Sequence, residues 1–313
     1  MNDLYLGIDT SNYTTSIAIV DQYGEIIEDI RRPLEVERGS KGLRQQEALF
    51  QHIKNLPLLI EELSTDLSHI RAIGVSTRPR NVQGSYMPVF LAGENAGRIL
   101  SRSLNVPMRR FSHQEGHIGT CLLGSLDDKS FLSIHLSGGT TELVHTLNNR
   151  DNLMTKVVGG SLDISMGQLI DRIGVHLGLD FPCGRELDRM SEGGKPIDRR
   201  IRSNMNDGWV NLSGYENLFT MLLDEKGHSR GDIIYTLFHQ LGEIILDLIK
   251  HAKGRNLVNK VYLVGGVSAN TIIRRRLAHE EIDVEIGFPR MDLSTDNAVG
   301  VAYLAAWKKG WEE

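Results

Sequence analysis

The sequence predicts an α/β protein of two lobes, each opening on a β-hairpin and running on into helices. Length is one reason: 313 residues are too many for one ordinary core and about right for two. An internal echo is another. Leu6-Gly-Ile-Asp-Thr-Ser11 leads through a turn to an apolar run over 14–20, and Leu132-Ser-Ile-His-Leu-Ser137 leads through Gly138-Gly139 to a run over 140–144. In both, a short apolar strand ends in serine, turns on small residues and returns as a second strand. Glycine and asparagine tolerate the positive φ that tight turns demand. Helical spacing after each hairpin completes the pattern.

After the first hairpin, residues 45–63 carry apolar side chains near helical spacing, and 70–76 read as a buried strand. A helix over 93–104 follows, closed by Asn105-Val106-Pro107. The second half gives a helix over 166–177 and a longer one over 233–252, then the strand 261–264 with Gly265-Gly266 and a helix from Ala269. Residues 193–207, rich in Gly, Lys, Arg and Asn, read as an exposed loop. The expected division is a first lobe over 1–128 and a second over 129–313, the latter with an inserted helical and loop region near 163–230. Such a repeated plan is the signature of the actin-like ATPase (ASKHA) fold, two duplicated lobes with a nucleotide cleft between them. The alternative is an unrelated α/β protein with two hairpins.

Composition narrows the function classes. Apolar residues make up 40% and charged residues 24%, an ordinary globular balance that argues against disorder, collagen and coiled coil. A net charge of −5 gives no global attraction to nucleic acid, so any RNA contact must use a local patch or a partner's surface. Two cysteines, Cys121 and Cys183, make no disulfide framework and suit a reducing cytoplasm. Met1-Asn2-Asp3 runs straight into a strand pattern with no basic stretch ahead of an apolar core, so no secretory leader is expected. No apolar run reaches the ~18 residues that span a membrane.

Two glycine turns have a physical task in such a fold. Ser137-Gly138-Gly139-Thr140-Thr141 can present several backbone N–H groups to a phosphate, because glycine lets the chain approach closely. Gly265-Gly266-Val267-Ser268-Ala269-Asn270 follows a strand and opens a helix, which puts donors and a positive helix terminus beside an anion or adenosine. The Asn270 amide could bond a base edge or ribose. A structural turn is the commoner fate of either Gly-Gly pair alone.

His113-Gln-Glu-Gly-His117 places two imidazoles at i and i+4, one face of a helix, where both can reach one divalent ion. Glu115 stands one position too late for a His-Glu-x-x-His peptidase. A third ligand must come from elsewhere. Asp296, in Ser294-Thr-Asp-Asn-Ala298, is the best candidate, a carboxylate followed by small residues at a helix start. A histidine pair at this spacing is also a common surface feature. His52, His135, His145 and His239 carry no comparable context and read as surface or core residues.

The ordered set Gly7-Ile-Asp-Thr-Ser11, His113–His117, Ser137-Gly-Gly139, Gly167-Gln-Leu-Ile-Asp171, Gly178-Leu-Asp-Phe-Pro182, Gly265–Asn270 and Ser294-Thr-Asp-Asn297 resembles the TsaD family over essentially the whole chain. These are tRNA threonylcarbamoyladenosine transferases, formerly labelled O-sialoglycoprotein endopeptidases or glycoproteases. The resemblance implies that His113, His117 and Asp296 hold an iron or zinc ion. It implies that Ser137, Gly138, Gly139, Thr140 and Thr141 form the phosphate-side loop, and that Asp171, Gly184, Asp188 and Asn270 hold the adenosine. Gly265 and Gly266 belong to the second nucleotide turn, and Leu212-Ser213-Gly214 resembles the family's Phe-Ser-Gly segment. It further implies an adenine nucleotide (ATP, AMP or a carbamoyl adenylate, optionally with magnesium), a tRNA acceptor, and either protein partners of a modification complex or a homo- or heterodimer. For RNA contact the candidates are Arg78, Arg80, Arg98, Arg102, Arg109 and Arg110, although a charge cluster is usually a solvated face.

Departures from the family pattern are equally specific. The Cys-Asp-Glu or Cys-Asp-Asp after the first Thr-Ser, whose acidic pair is tied to activity in the family, reads Asn12-Tyr13-Thr14 here, with no carboxylate. Ser-Gly-Gly-His-Thr becomes Ser-Gly-Gly-Thr-Thr, and Arg-Gly-Pro-Gly becomes Arg78-Pro79-Arg80-Asn81, two glycines lost and a second arginine gained. Gly-Glu-Ala-Phe-Asp becomes Gly167-Gln168-Leu169-Ile170-Asp171, and Pro-Gly-Gly-Pro becomes Pro182-Cys183-Gly184-Arg185. Metal and adenosine positions persist while reaction-side positions change, the pattern of a divergent paralogue. Three functions are therefore open: a metal-dependent threonylcarbamoyl transferase acting on tRNA, a carbamoyl transferase with a non-tRNA acceptor, and a non-catalytic nucleotide-binding partner of a true family member.

Overall fold

A computed structural model describes residues 2–310, apart from 12, 37–42, 125–127, 150, 200, 202–203, 226, 256–258 and 281. The first half runs β1 (Leu4–Asp9), β2 (Thr14–Asp21), β3 (Ile26–Pro33), α1 (Gln45–Glu61), β4 (Ile70–Arg78), α2 (Phe90–Leu104), β5 (Met108–Ser112) and α3 (His113–Cys121). The second runs β6 (Ser130–Leu136), β7 (Thr141–Asn148), β8 (Leu153–Ser161), α4 (Met166–His176), α5 (Gly184–Met190), β9 (Trp209–Val210), α6 (Ser213–Asp224), α7 (Arg230–Gly254), β10 (Lys260–Val264), α8 (Thr271–Ala278), β11 (Glu285–Gly287) and α9 (Val299–Trp307).

The echo in the sequence is an echo in topology. The first sheet has the order β3-β2-β1-β4-β5, and the second β11-β10-β6-β7-β8-β9. In each, three antiparallel strands form a meander, and the first of them pairs in parallel with a later strand. Five strands of the second sheet thus repeat the first, with β9 added at the edge. Cys121 and Cys183 are free thiols. Among the described residues, no helix is long and apolar enough to cross a membrane.

Cap chemistry fixes the helices that matter. Ser112 and Glu115 form a capping box at the start of α3: Glu115 Oε2 accepts from the Ser112 amide at 2.7 Å, and Ser112 Oγ accepts from the Glu115 amide. That buried glutamate is occupied as a cap, which explains its place between the two histidines. Ser165 and Gln168 repeat the device on α4, so the glutamine that departs from the family pattern still serves as a box residue. The helix expected from Ala269 begins at Thr271, because Gly266–Ala269 form a 3₁₀ turn and Asn270 caps α8 by accepting from the Ile272 and Ile273 amides.

Helix α6 borrows its cap. Asp163 accepts from the amides of Leu212 (2.7 Å), Ser213 (3.0 Å) and Ile164 (2.7 Å) and from the Ser213 hydroxyl (2.6 Å). Partial burial pushes its carboxyl up, but those hydrogen bonds outweigh it and hold the pKa at about 2. With the folded value below the unfolded one, the stabilisation is present above the ordinary aspartate range and is lost as pH falls towards 2. The group is exposed, so a cap-sized effect applies: Asp163→Ala is expected to cost about 1 kcal/mol at pH 7, shrinking towards nothing at pH 2. Urea unfolding at the two pH values checks this; an equal cost at both would contradict it.

The last helix ties the halves together. α9 follows the second sheet in sequence but packs on β1, β2 and β4 of the first and on α3. Its approach is backbone-close: a Cβ on Gly7 would fall 2.2 Å from the Ala298 carbonyl oxygen, and one on Gly74 2.1 Å from that of Val301. Ala298–Ala305 join residues of both sheets, such as Ala18, Ala72, Phe131 and Val264, in one core cluster.

Candidate active site

The box-capped start of α3 sets His113 and His117 on one helical face, both buried. Their Nε2 atoms lie 3.1 Å apart. Asp296, in the segment leading to α9, puts Oδ1 at 3.3 Å from His113 Nε2 and 3.4 Å from His117 Nε2. The three residues singled out in the sequence therefore meet, although Asp296 is 179 residues from His117 in the chain.

Two further side chains complete the group, and neither was singled out in the sequence. His135 is the penultimate residue of β6, two residues before Ser137, and its ring centroid lies 5.0 Å from that of His117. Each of His113, His117 and His135 offers a nitrogen within 4.8 Å of the others. The reading of His135 as a surface or core residue is corrected in part: it is buried, but it also faces the donor group. Asp9, at the end of β1, stands behind His113, with Oδ2 3.0 Å from Nδ1. Asp9 is itself fixed, accepting from Ser76 Oγ at 2.6 Å, from the Ser11 amide at 2.7 Å and from the Ser11 hydroxyl.

The electrostatics follow from burial between two carboxylates. Desolvation pushes His113 down, but Asp9 and Asp296 outweigh it and raise its pKa to about 10. His117 is lowered by burial and by the charge on His113; His135 is lowered well below its ordinary value by burial and by its two neighbours. Burial works against the Asp296 charge, yet the hydrogen bonds of both histidines hold its carboxyl far below the usual range.

Do these residues fit a metal? His135 Nδ1 is 3.2 Å from Thr140 Oγ1, while its buried Nε2 has no hydrogen-bond partner. A desolvated nitrogen lone pair without a partner costs free energy unless something electrophilic takes it. Three imidazole nitrogens and one carboxylate oxygen make a donor set suited to zinc or ferrous iron. The residues fit.

A cavity of about 460 Å³ opens beside this group, lined by Ser11, Arg80, Gln83, Tyr86, His113 and His135, and by Ser137, Gly139 and Thr140 of the first glycine turn. That turn is pinned from below: the Ser137 carbonyl accepts from the Gly167 amide, and the Gly138 carbonyl from Ser165 Oγ at 2.9 Å. The Ser137 hydroxyl gathers the Gly139 and Thr140 amides at 3.2 and 3.1 Å, and the Thr141 hydroxyl accepts from the Met166 amide. No heavy atom lies within 4 Å of the Cβ positions of Gly138 and Gly139, and Gly139 lines the cavity.

The remaining nucleotide candidates form a second group outside that lining. Asn270 Nδ2 donates to Asp188 Oδ1 at 2.7 Å, and Asp171 accepts from the Cys183 amide, directly before Gly184. Burial raises the carboxyls of both Asp171 and Asp188. Gly265 is required where it stands, with φ +90° and a Cβ position 2.4 Å from the Leu136 carbonyl oxygen, whereas Gly266 and Gly184 face nearly open space. The arginines divide. Arg80 lines the central cavity; Arg98, Arg102 and Arg110 border a separate groove of about 450 Å³; Arg109 donates to the carbonyls of Ala305 and Lys308 and serves the fold. Asn12, where the family's Cys-Asp-Glu segment begins, lies outside the described residues; Tyr13, at the first acidic position, packs edge-on against Phe181 at 5.5 Å, from the opposite lobe.

Comparison with known proteins gives the family and the fold. Residues 34–303 match the family described as tRNA N6-adenosine threonylcarbamoyltransferase, TsaD. A relative of that name from Sulfurihydrogenibium sp. is 29% identical over 95% of this chain and 88% of its own. Among solved structures, HypF of T. kodakarensis superposes with a TM-score of 0.62 at 14% identity, over 97% of this chain and 47% of that one, so this chain spans about half its length. A ROK family glucokinase from Streptomyces griseus, solved with glucose and AMPPNP, gives 0.52 at 12% identity over 96% and 99%. At such identities the likeness speaks for the fold alone, and the fold is the actin-like ATPase one.

Proposed function

Because the chain belongs to the tRNA N6-adenosine threonylcarbamoyltransferase family, we propose that it moves a threonylcarbamoyl group from a carbamoyl adenylate to the exocyclic amine of an adenine in a tRNA anticodon loop. The observation that carries this reading is the convergence of His113, His117, His135 and Asp296 beside a cavity whose wall is the Ser137–Thr140 turn. His113, His117 and Asp296, with His135 as an added donor, would hold one divalent iron or zinc ion. When bound, that ion supplies a Lewis acid beside the carbamoyl carbonyl.

The chain's own groups do the positioning. Asp9 accepts the proton of His113 Nδ1, which fixes the tautomer and turns Nε2 towards the donor group; Thr140 Oγ1, 3.2 Å from His135 Nδ1, holds that ring in place. The amides of Gly139 and Thr140 would exchange the Ser137 hydroxyl for phosphate oxygens and stabilise charge on the departing AMP. Ser137, Gly138 and Thr141 shape the same turn, and Asp171, Gly184, Asp188, Gly265, Gly266 and Asn270 form the adenosine side. As the amine nitrogen bonds to the carbamoyl carbon, the bond from that carbon to the phosphate oxygen breaks, AMP leaves with the bonding electron pair, and the amine gives up one proton to solvent. The acceptor base must be unstacked, which a loop allows at modest cost. With a net charge of −5, the remaining tRNA surface falls to partner proteins.

A single-turnover assay tests the reading. Metal-loaded protein, enzymatically made threonylcarbamoyl adenylate and unmodified tRNA should yield modified adenosine and AMP in equal amounts. With partner proteins supplied as well, AMP without modified tRNA would overturn the acceptor, and absence of both products would overturn the transfer itself.

A further inference from the structure

The loop between β4 and α2 carries a charge that the chemistry above does not use. Arg80 lines the cavity together with His113 and His135. Its amide donates to Ser85 Oγ at 3.0 Å, and its Nη1 meets Glu142 Oε1 at 3.0 Å. Glu142 Oε2 accepts from Gln114 Nε2 at 3.2 Å, from the residue next to His113 on α3. Glu142 is also the partner of His135 across the β6–β7 ladder, so the two side chains leave the same face of the sheet. His135 therefore borders the phosphate-side turn through Thr140 and the Arg80–Glu142 pair through its ladder partner.

Exposure separates the roles within the pair. The Glu142 side chain is 11% exposed and that of Arg80 41%. The glutamate is thus a buried brace, and the guanidinium is the part a ligand can touch. Arginine offers five N–H donors in a planar fork, more than one carboxylate oxygen uses, and the fork matches a second carboxylate. A ligand with its phosphate on the Ser137 turn and its carbamoyl carbon at the histidines has only its amino-acid part left to reach Arg80.

We propose that Arg80, braced by Glu142 and Gln114, receives the free carboxylate of the amino-acid part of the transferred group, and so selects carboxylate-bearing carbamoyl adenylates over neutral ones. This rests on the transfer reading above. The test measures binding of three probes by calorimetry: a hydrolysis-resistant sulfamoyl analogue of threonylcarbamoyl adenylate, the same analogue with the carboxylate converted to a carboxamide, and AMP. The wild-type protein should prefer the acid over the amide by about 10- to 100-fold, the scale of a hydrogen bond to a charged group. Arg80→Gln combined with Glu142→Gln, which leaves no buried charge unpaired, should abolish that preference and keep AMP affinity. Equal binding of acid and amide to the wild type, both tighter than AMP, overturns the carboxylate receptor and leaves the transfer reading standing. Analogues no tighter than AMP overturn the transfer reading and this proposal with it. A double variant that keeps the preference, or loses AMP affinity in parallel, also overturns the proposal, the latter by assigning Arg80 to the phosphate.

Discussion

Protein carrying both His113→Ala and His117→Ala is expected to purify without stoichiometric iron or zinc and to form modified tRNA about 10³-fold more slowly or not at all. Each histidine lost removes a donor from a group of four, and Asp296 would keep only His135 beside it. A Lewis acid at a developing oxyanion supplies several kcal/mol, and each 1.36 kcal/mol is tenfold in rate. The same geometry gives the sign of the pH dependence. With its pKa raised to about 10, His113 carries a proton at neutral pH in the metal-free protein, so a bound ion must displace it. Metal affinity should therefore climb as pH rises through the neutral range, with release of about one proton per ion at pH 7. Elemental analysis of the purified variant and titration of the wild type in buffers of different ionisation enthalpy read both effects. Full metal content in the double variant would remove the assignment.

The second large effect is steric and lies behind the site. Where α3 crosses α9, a Cβ on Gly300 would stand 1.8 Å from the Gly116 carbonyl oxygen and one on Gly119 2.5 Å from that of Gly300. Backbone cannot swing aside as a side chain can. Gly300→Ala must push the two helices apart, and a clash of this kind is expected to cost about 3 kcal/mol or more, the upper end of overpacking effects. Because α3 carries His117 and the lead-in to α9 carries Asp296, metal content should fall together with the unfolding midpoint. Gly139→Ala, at a position that lines the cavity, is the informative contrast. Nothing lies within 4 Å of its Cβ position, so stability should move by less than about 0.5 kcal/mol, while nucleotide affinity drops because the methyl enters the phosphate side. Thermal unfolding with and without AMP separates the two variants; similar stability for both would refute the crossing argument.

How much of this was legible beforehand depended on range. The hairpins, the long α7 and the histidine face of α3 are written in local spacing, and local spacing survives folding. His135 was not legible, because nothing beside it in sequence resembles a ligand. Its role comes from strand register, which sets it against Glu142 on one side and Val264 on the other. Asp9 was hidden for the same reason: it faces His113 only once β1 has paired with β4 and α3 has docked. The short β9 and β11 carry too few residues for any period to show. Asp163 sits 50 residues before the helix it caps, beyond the reach of any capping pattern read along the chain.

Packing of α9 on the first sheet has a consequence for how the protein is made. The strands over residues 4–33 emerge from the ribosome first, yet the helix that covers Gly7 and Gly74 comes at residues 299–307. At ordinary elongation rates the cover arrives roughly fifteen seconds to a minute after the surface it protects. Throughout that interval the nascent sheet presents apolar residues such as Ala18 and Ala72 with no native partner to bury them. The opening lobe is thus finished only when the closing helix folds back across it.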